Sequence, residues 1–206
     1  MTSLQFITHA TERYTYFESA QLALEGGCRW VQLRMKDTSL EVMQQTALQV
    51  QELCKSYNAT FILDDQVELA KRIGADGVHL GLKDMPISEA RCYLGTDFII
   101  GATANQFSEL QQHWKDGADY IGCGPFRYTS TKQLLSPLLG IEGYRKILQA
   151  MESHHCSLPL VAIGGILSSD IQVLKSLGIS HIAVSGGILN APNPQKETQT
   201  IINLLQ

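Results

Sequence analysis

The segment Gly122-Cys-Gly-Pro-Phe-Arg-Tyr-Thr-Ser-Thr-Lys132 concentrates the chemistry of this chain. An apolar run, Tyr120 to Gly122, ends in a glycine turn, after which Thr129, Thr131 and Lys132 offer hydroxyl donors and a positive charge. Glycine lets backbone N–H groups approach an oxyanion closely, so the expected guest is a phosphate. Taken alone, such a run is as well explained as a polar surface loop. Two further turns shift the balance: Ile163-Gly-Gly-Ile166 and Val184-Ser-Gly-Gly187 each follow an apolar run and precede a helical stretch. Helix N-termini attract anions.

A second group is charged. Gln32, Arg34 and Lys36 alternate at two-residue spacing, which puts all three on one face of a strand and its exit. Two cations converging in a confined place require carboxylates or a polyanionic ligand. Asp64 and Asp65 end a third apolar run, and Asp84 lies in the loop after a fourth. Magnesium is commonly held by one or two carboxylates together with substrate phosphates and water, which suits Asp65 and Asp84. The alternative is that Asp65 and Asp84 cap the helices that follow them. His79 reads as a hydrogen-bonded core or rim residue, and His154-His155 as solvated surface. Ser185 has no His–Asp companion signature, so a phosphate contact suits it better than a nucleophilic role.

Something must hold these residues in register. Apolar, β-branched runs recur at Leu4–Ile7, Trp30–Leu33, Thr60–Leu63, Gly77–Leu80, Phe98–Ile100, Tyr120–Gly122, Leu160–Ile163 and His181–Val184. Amphipathic stretches alternate with them: Phe17–Glu25, Leu40–Tyr57, Val67–Ile73, Ile87–Tyr93, Glu109–Lys115, Ile141–Met151, Ile171–Leu177 and Glu197–Leu205. Eight β–α repeats with polar residues at the strands' carboxyl ends predict a (β/α)8 TIM barrel rather than an open doubly wound sheet. In that fold the chemistry sits on the loops that follow the strands, and phosphate often binds after strands seven and eight.

The bulk properties narrow the partners. With 206 residues, 44% of them hydrophobic, and no low-complexity linker, residues 1–206 read as one domain. A net charge of −4 without a basic run argues against nucleic acid and membrane surfaces and points to small phosphorylated molecules. The five cysteines show no Cys-x-x-Cys pair or metal-finger spacing, so reduced thiols are expected. The sequence shows no basic-then-apolar leader, and a cytoplasmic location is the expectation. Homo-oligomer formation is left open. The stretch 127–140 is long enough to close over a barrel mouth.

Taken in order over nearly the whole chain, these segments resemble the thiamine-phosphate synthase (thiamine-phosphate pyrophosphorylase) family. The likeness is carried by Gln32-Leu-Arg-Met-Lys36, Asp64-Asp65, Asp76-Gly-Val-His-Leu-Gly81 with Asp84, Gly124-Pro125 through Lys132, Ile163-Gly-Gly-Ile166 and Val184-Ser185. The resemblance implies a transferase that joins hydroxymethylpyrimidine diphosphate to hydroxyethylthiazole phosphate, or its carboxylated form, and releases pyrophosphate with the help of magnesium. It implies that Gln32, Arg34, Lys36 and Asp64 serve the pyrimidine diphosphate and that Asp65 and Asp84 hold Mg2+. Thr103 and Lys132 would contact pyrophosphate, and Thr129, Thr131, Gly165, Val184 and Ser185 the thiazole phosphate, with Arg34, Lys36 and Lys132 as the catalytic cations. Asp64 departs from the family's usual Asn, Thr103 stands in a segment usually built on Ser, and Tyr128 replaces a frequent Pro. A thiazole tautomerase and a catalytically silent thiazole-phosphate-binding module are the competing expectations. Against the first, Pro125 stands where tautomerases of this kind usually carry a histidine.

Overall fold

Strand-forming runs of only four to six residues must be buried on both faces to persist, and these are. The computed structural model describes residues 2–128 and 138–206. Within them, β1 (Leu4–Ile7), β2 (Trp30–Leu33), β3 (Thr60–Asp64), β4 (Gly77–Leu80), β5 (Ile99–Ala104), β6 (Tyr120–Cys123), β7 (Leu160–Ile163) and β8 (His181–Val184) pair in parallel, in sequence order, and β8 returns to β1. The sheet is a closed barrel, as the alternation of elements predicts.

Helices α1 (Tyr16–Glu25), α2 (Leu40–Ser56), α3 (Val67–Ile73), α4 (Ile87–Leu94), α5 (Phe107–Lys115), α6 (Gly140–Ser153), α7 (Ile171–Ser176), α8 (Gly186–Leu189) and α9 (Pro194–Leu205) connect the strands and end the chain. Their starts follow local chemistry. Thr15 and Glu18 form a reciprocal capping box on α1, and Asn193 accepts from the Lys196 N–H at the start of α9, with Pro194 at the first helical position. The short α8 carries no periodic signal that could announce it: two of its four residues are glycine.

Alternation along the strands creates two cores. Residues facing the helices, such as Phe6, Val31, Leu33, Phe61, Leu63 and Leu80, build the larger one. Inside the barrel, Ile7, Trp30, Ile62, Tyr120, Val161 and Ala183 form a separate cluster, with Trp30 meeting the Tyr120 ring edge-on at 4.9 Å. The barrel is therefore plugged beneath its mouth. No helix among the described residues is long and apolar enough to cross a membrane.

Register decides which polar residues meet. Gln32 pairs with Ile62, Asp64 with His79, and Thr103 with Gly122. β5 runs to Ala104, four residues beyond the predicted end at Ile100, because its pairing with β6 continues through Ala104↔Cys123. Thr103 thereby belongs to a strand and not to a loop.

Candidate active site

At the carboxyl end of the barrel lies a cavity of about 680 Å3, of the size that holds small ligands. Gln32, Arg34, Asp64, Thr103, Gly165, Val184 and Ser185 all line it. Lys36, Asp65 and Asp84 stand beside it on the loops after β2, β3 and β4. Thr129, Thr131 and Lys132 lie outside the described residues, as does most of the stretch expected to close over the mouth.

The charged side is a network. Asp64, buried at the end of β3, accepts from Gln32 Nε2 at 2.6 Å and has Arg34 Nε and Lys36 Nζ each 3.5 Å from its second oxygen. Lys36 also contacts Asp65. Successive strand residues normally point to opposite faces, so two adjacent carboxylates could not both reach one ammonium. Asp65 solves this with a left-handed backbone, φ 62°, while its N–H donates to the His79 carbonyl at 2.9 Å. For a residue other than glycine that conformation costs about 1–2 kcal/mol, less for Asp, and the surrounding contacts hold it in place.

The expectation that Asp65 and Asp84 could be helix caps is not met. Neither α3, capped by Gln66, nor α4, capped by Pro86, receives a side-chain cap bond. Asp84 instead accepts the Gly81 N–H at 2.6 Å, in a turn where a Cβ on Gly81 would come within 2.8 Å of that carboxylate. Asp65 and Asp84 act on each other's carboxyls. Burial lifts the Asp65 carboxyl to about 7, helped by the Asp64 charge and the Asp84 contact and opposed by Lys36. For Asp84 burial works upward too, but the Asp65 contact and the Gly81 N–H outweigh it and hold this carboxyl below its ordinary value. Burial also raises Asp64, against the pull of Lys36 and Arg34. Lys36 is held above its usual value: burial works downward, and its contacts with Asp65 and Asp64 prevail.

Across the mouth the means are different. Gly164 and Gly165 follow β7 in the left-handed region, φ 97° and 69°, which L side chains rarely adopt. Ser185 and Gly186 lead from β8 into α8 along the same cavity. A Cβ on Gly187 would stand 2.6 Å from the Ile166 carbonyl, so close packing of the two turns also demands glycine there. The base of the β6 loop is tied to this cradle: the Phe126 and Arg127 N–H groups donate to the Ile163 and Gly164 carbonyls at 2.8 and 3.0 Å. Arg127 also pairs with Asp170 at 2.6 Å, while the other Asp170 oxygen accepts the Leu167 N–H at 2.8 Å. That support escaped sequence reasoning because its two halves lie 43 residues apart.

Two buried polar atoms on the cavity wall, Gln32 Oε1 and Ser185 Oγ, have no partner among the described residues. Such atoms cost free energy unless a ligand or solvent satisfies them. One belongs to each side. His79 bridges the interior, with Nδ1 3.1 Å from the Tyr120 hydroxyl and Nε2 3.0 Å from Thr103 Oγ1, in keeping with the hydrogen-bonded core residue expected.

A closed (β/α)8 barrel with a cationic, carboxylate-rich face opposite a glycine cradle defines an enzyme built for phosphorylated ligands. The chain belongs to the thiamine monophosphate synthase family, whose model matches residues 4–188. It is 59% identical over 201 residues to a thiamine-phosphate synthase of Phocaeicola vulgatus, covering 98% of this chain and 97% of that protein. It is 57% identical over 204 residues to the thiamine-phosphate synthase of Bacteroides thetaiotaomicron, covering 99% and 98%. Among solved structures, a thiamine phosphate pyrophosphorylase from Pyrococcus furiosus superposes with a TM-score of 0.85 at 33% identity, covering 98% of this chain and 95% of that one.

Proposed function

We propose that the barrel mouth joins hydroxymethylpyrimidine diphosphate to hydroxyethylthiazole phosphate, or its carboxylated form, giving thiamine phosphate and pyrophosphate. One observation carries this reading: two unlike anion-binding faces share a single cavity. β2–β4 and β7–β8 occupy separate arcs of the eight-stranded ring, with β1 between them on one side and β5–β6 on the other, so a diphosphate held at Arg34 and Lys36 and a phosphate held at Gly165 and Ser185 can direct their organic parts into the cavity they share.

Gln32 Oε1, buried and without a partner among the described residues, accepts an N–H from the pyrimidine. Arg34 and Lys36 neutralise the diphosphate, joined by Thr103 and by Lys132, and Thr129, Thr131 and Val184 complete the thiazole-phosphate contacts with Gly165 and Ser185. The last-named loop residues, Thr129, Thr131 and Lys132, enter through the family resemblance alone. Departure of the diphosphate leaves a cation on the pyrimidine methylene, which the thiazole nitrogen captures. The residues stabilise charge on the leaving group and keep the site poor in water, so no nucleophilic side chain is needed.

The carboxylates fit a magnesium ion. Asp65 and Asp84 are hard oxygen donors on adjacent loops, and a divalent cation would displace the proton that the raised Asp65 carboxyl otherwise holds. Among the described residues no group of three or more His, Cys, Asp or Glu converges as a metal cage, so substrate oxygens and water would complete the shell. Bound there, Mg2+ would supply charge neutralisation to the departing diphosphate. All five cysteines are free thiols, which supports work in the cytoplasm.

The test is an assay of purified protein with both substrates and magnesium. Equal amounts of thiamine phosphate and pyrophosphate are expected. Absence of pyrophosphate release would refute the reading in favour of a tautomerase or a silent binding module.

A further inference from the structure

We propose that Gln5, Tyr120 and His79 form a one-directional hydrogen-bond relay through the barrel interior that fixes the Thr103 hydroxyl as a donor into the cavity, making Tyr120 and His79 positioning residues. The proposal rests on the reading of Thr103 as a contact of the departing pyrophosphate.

Direction follows from counting hydrogens. The Gln5 amide Nε2 donates to the Tyr120 oxygen at 3.1 Å. Among the described residues the only other partner of the phenol is His79 Nδ1, also at 3.1 Å, so the phenol's own hydrogen is assigned to that nitrogen rather than left buried without an acceptor. A neutral imidazole that accepts at Nδ1 carries its hydrogen on Nε2. That nitrogen faces Thr103 Oγ1 at 3.0 Å and therefore donates to it. A hydroxyl that accepts from one side keeps its hydrogen for another, and Thr103 lines the cavity. The chain runs from β1 through β6 and β4 to β5 and ends at the mouth.

The barrel is shaped to seat this chain. A Cβ on Gly101 would overlap the Tyr120 ring, and one on Gly122 would stand 2.9 Å from His79 Cε1. Two strand positions are thus given up to two rings. Trp30 meets Tyr120 edge-on and restrains it. Tyr120 is fully buried, and burial pushes its hydroxyl far above the ordinary tyrosine range, so it keeps its hydrogen at any working pH. An apolar filling would spare the interior three polar groups whose burial has to be offset bond by bond. Tyr120 cannot touch a ligand, which makes its hydroxyl a clean probe.

The experiment is a double-mutant cycle on kcat for pyrophosphate release with both substrates saturating, using Thr103→Val, Tyr120→Phe and the pair. Thr103→Val should lower kcat about tenfold and Tyr120→Phe about three- to tenfold, with no further loss when the second is added to the first. Equal losses from Tyr120→Phe in both backgrounds, or none in either, would overturn the relay while leaving Thr103 as a contact. A Thr103→Val enzyme with unchanged kcat would instead remove the reading of Thr103, and the relay with it. Should Tyr120→Phe fail to fold by thermal melting, His79→Gln and His79→Asn carry the test. A glutamine amide nitrogen falls near the position of Nε2 and an asparagine's near Nδ1, so His79→Gln should retain more kcat than His79→Asn; the reverse order would contradict the relay.

Discussion

The two sides of the mouth solve one problem by different physics. On the β2–β4 side, anion recognition depends on charged side chains that neutralise one another: Asp64 engages Gln32, Arg34 and Lys36, and Asp65 pairs with Lys36. On the β7–β8 side it depends on the backbone at Gly164 and Gly165 and on an uncharged hydroxyl, Ser185. A ligand on the first side must displace existing ion pairs, so binding there responds to pH and metal. The second side is preformed and should respond to neither. The contrast matches the division of labour: the bond that breaks lies on the side whose charges can reorganise, and the other side only has to hold.

Four perturbations probe that contrast, in descending order of effect. Asp65→Ala should lower turnover by about a thousandfold, roughly 4 kcal/mol of transition-state stabilisation, while leaving the affinity for thiazole phosphate within about twofold. Steady-state kinetics joined to a phosphate-ligand titration would check it; equal losses at both sites would erase the distinction. Gly165→Ala, in a turn with φ 69° and tight against Arg127, should raise the KM for thiazole phosphate by about ten- to a hundredfold with little change in metal dependence.

The third concerns pH. With the Asp65 carboxyl at about 7, the metal-free protein carries a proton there below that pH, and a divalent ion must expel it. Magnesium affinity should therefore rise between about pH 6 and 8, with close to one proton released per ion, as calorimetry in buffers of different ionisation enthalpy would show. Stability has the same origin. Because the folded pKa is raised, this group's contribution is fully present below its unfolded value near 3.8 and is lost as pH rises through about 7. The melting temperature of metal-free protein should fall over that window, and Asp65→Asn should flatten part of the slope. Thiazole-phosphate affinity should show no matching step at pH 7.

The smallest effect is at Asp64. Its charge helps lift Asp65, so Asp64→Asn should move the midpoint of metal uptake below about 7 and weaken magnesium binding about two- to fivefold at pH 8. A titration in which magnesium affinity at pH 8 is unchanged or improved would show that Asp64 serves the cations alone.

Much of this was legible in the sequence, because strand and helix periodicity is local. The strand runs fall where the alternation places them, and the barrel follows from their number. The Gln32-x-Arg34-x-Lys36 spacing and the glycine turns likewise state their side of the mouth directly. Other features depend on contacts between distant residues. The left-handed turn at Asp65, which turns a capping candidate towards Lys36, is stabilised by the His79 carbonyl of the next strand. Thr103 enters β5 only through pairing with β6. The Gln5–Tyr120 bond spans 115 residues, and nothing near Tyr120 in the sequence signals that its hydroxyl would be used. Helix α8 is too short and too rich in glycine to leave a period.

The most direct test of a divided mouth is a pair of calorimetric titrations at pH 8, in which magnesium pyrophosphate is added to protein with and without saturating hydroxyethylthiazole phosphate. One pyrophosphate per chain should bind with nearly the same affinity in both, and Asp65→Ala should abolish that binding alone. Mutual exclusion of the two ligands would mean that a single anion site serves both, and the account would be wrong.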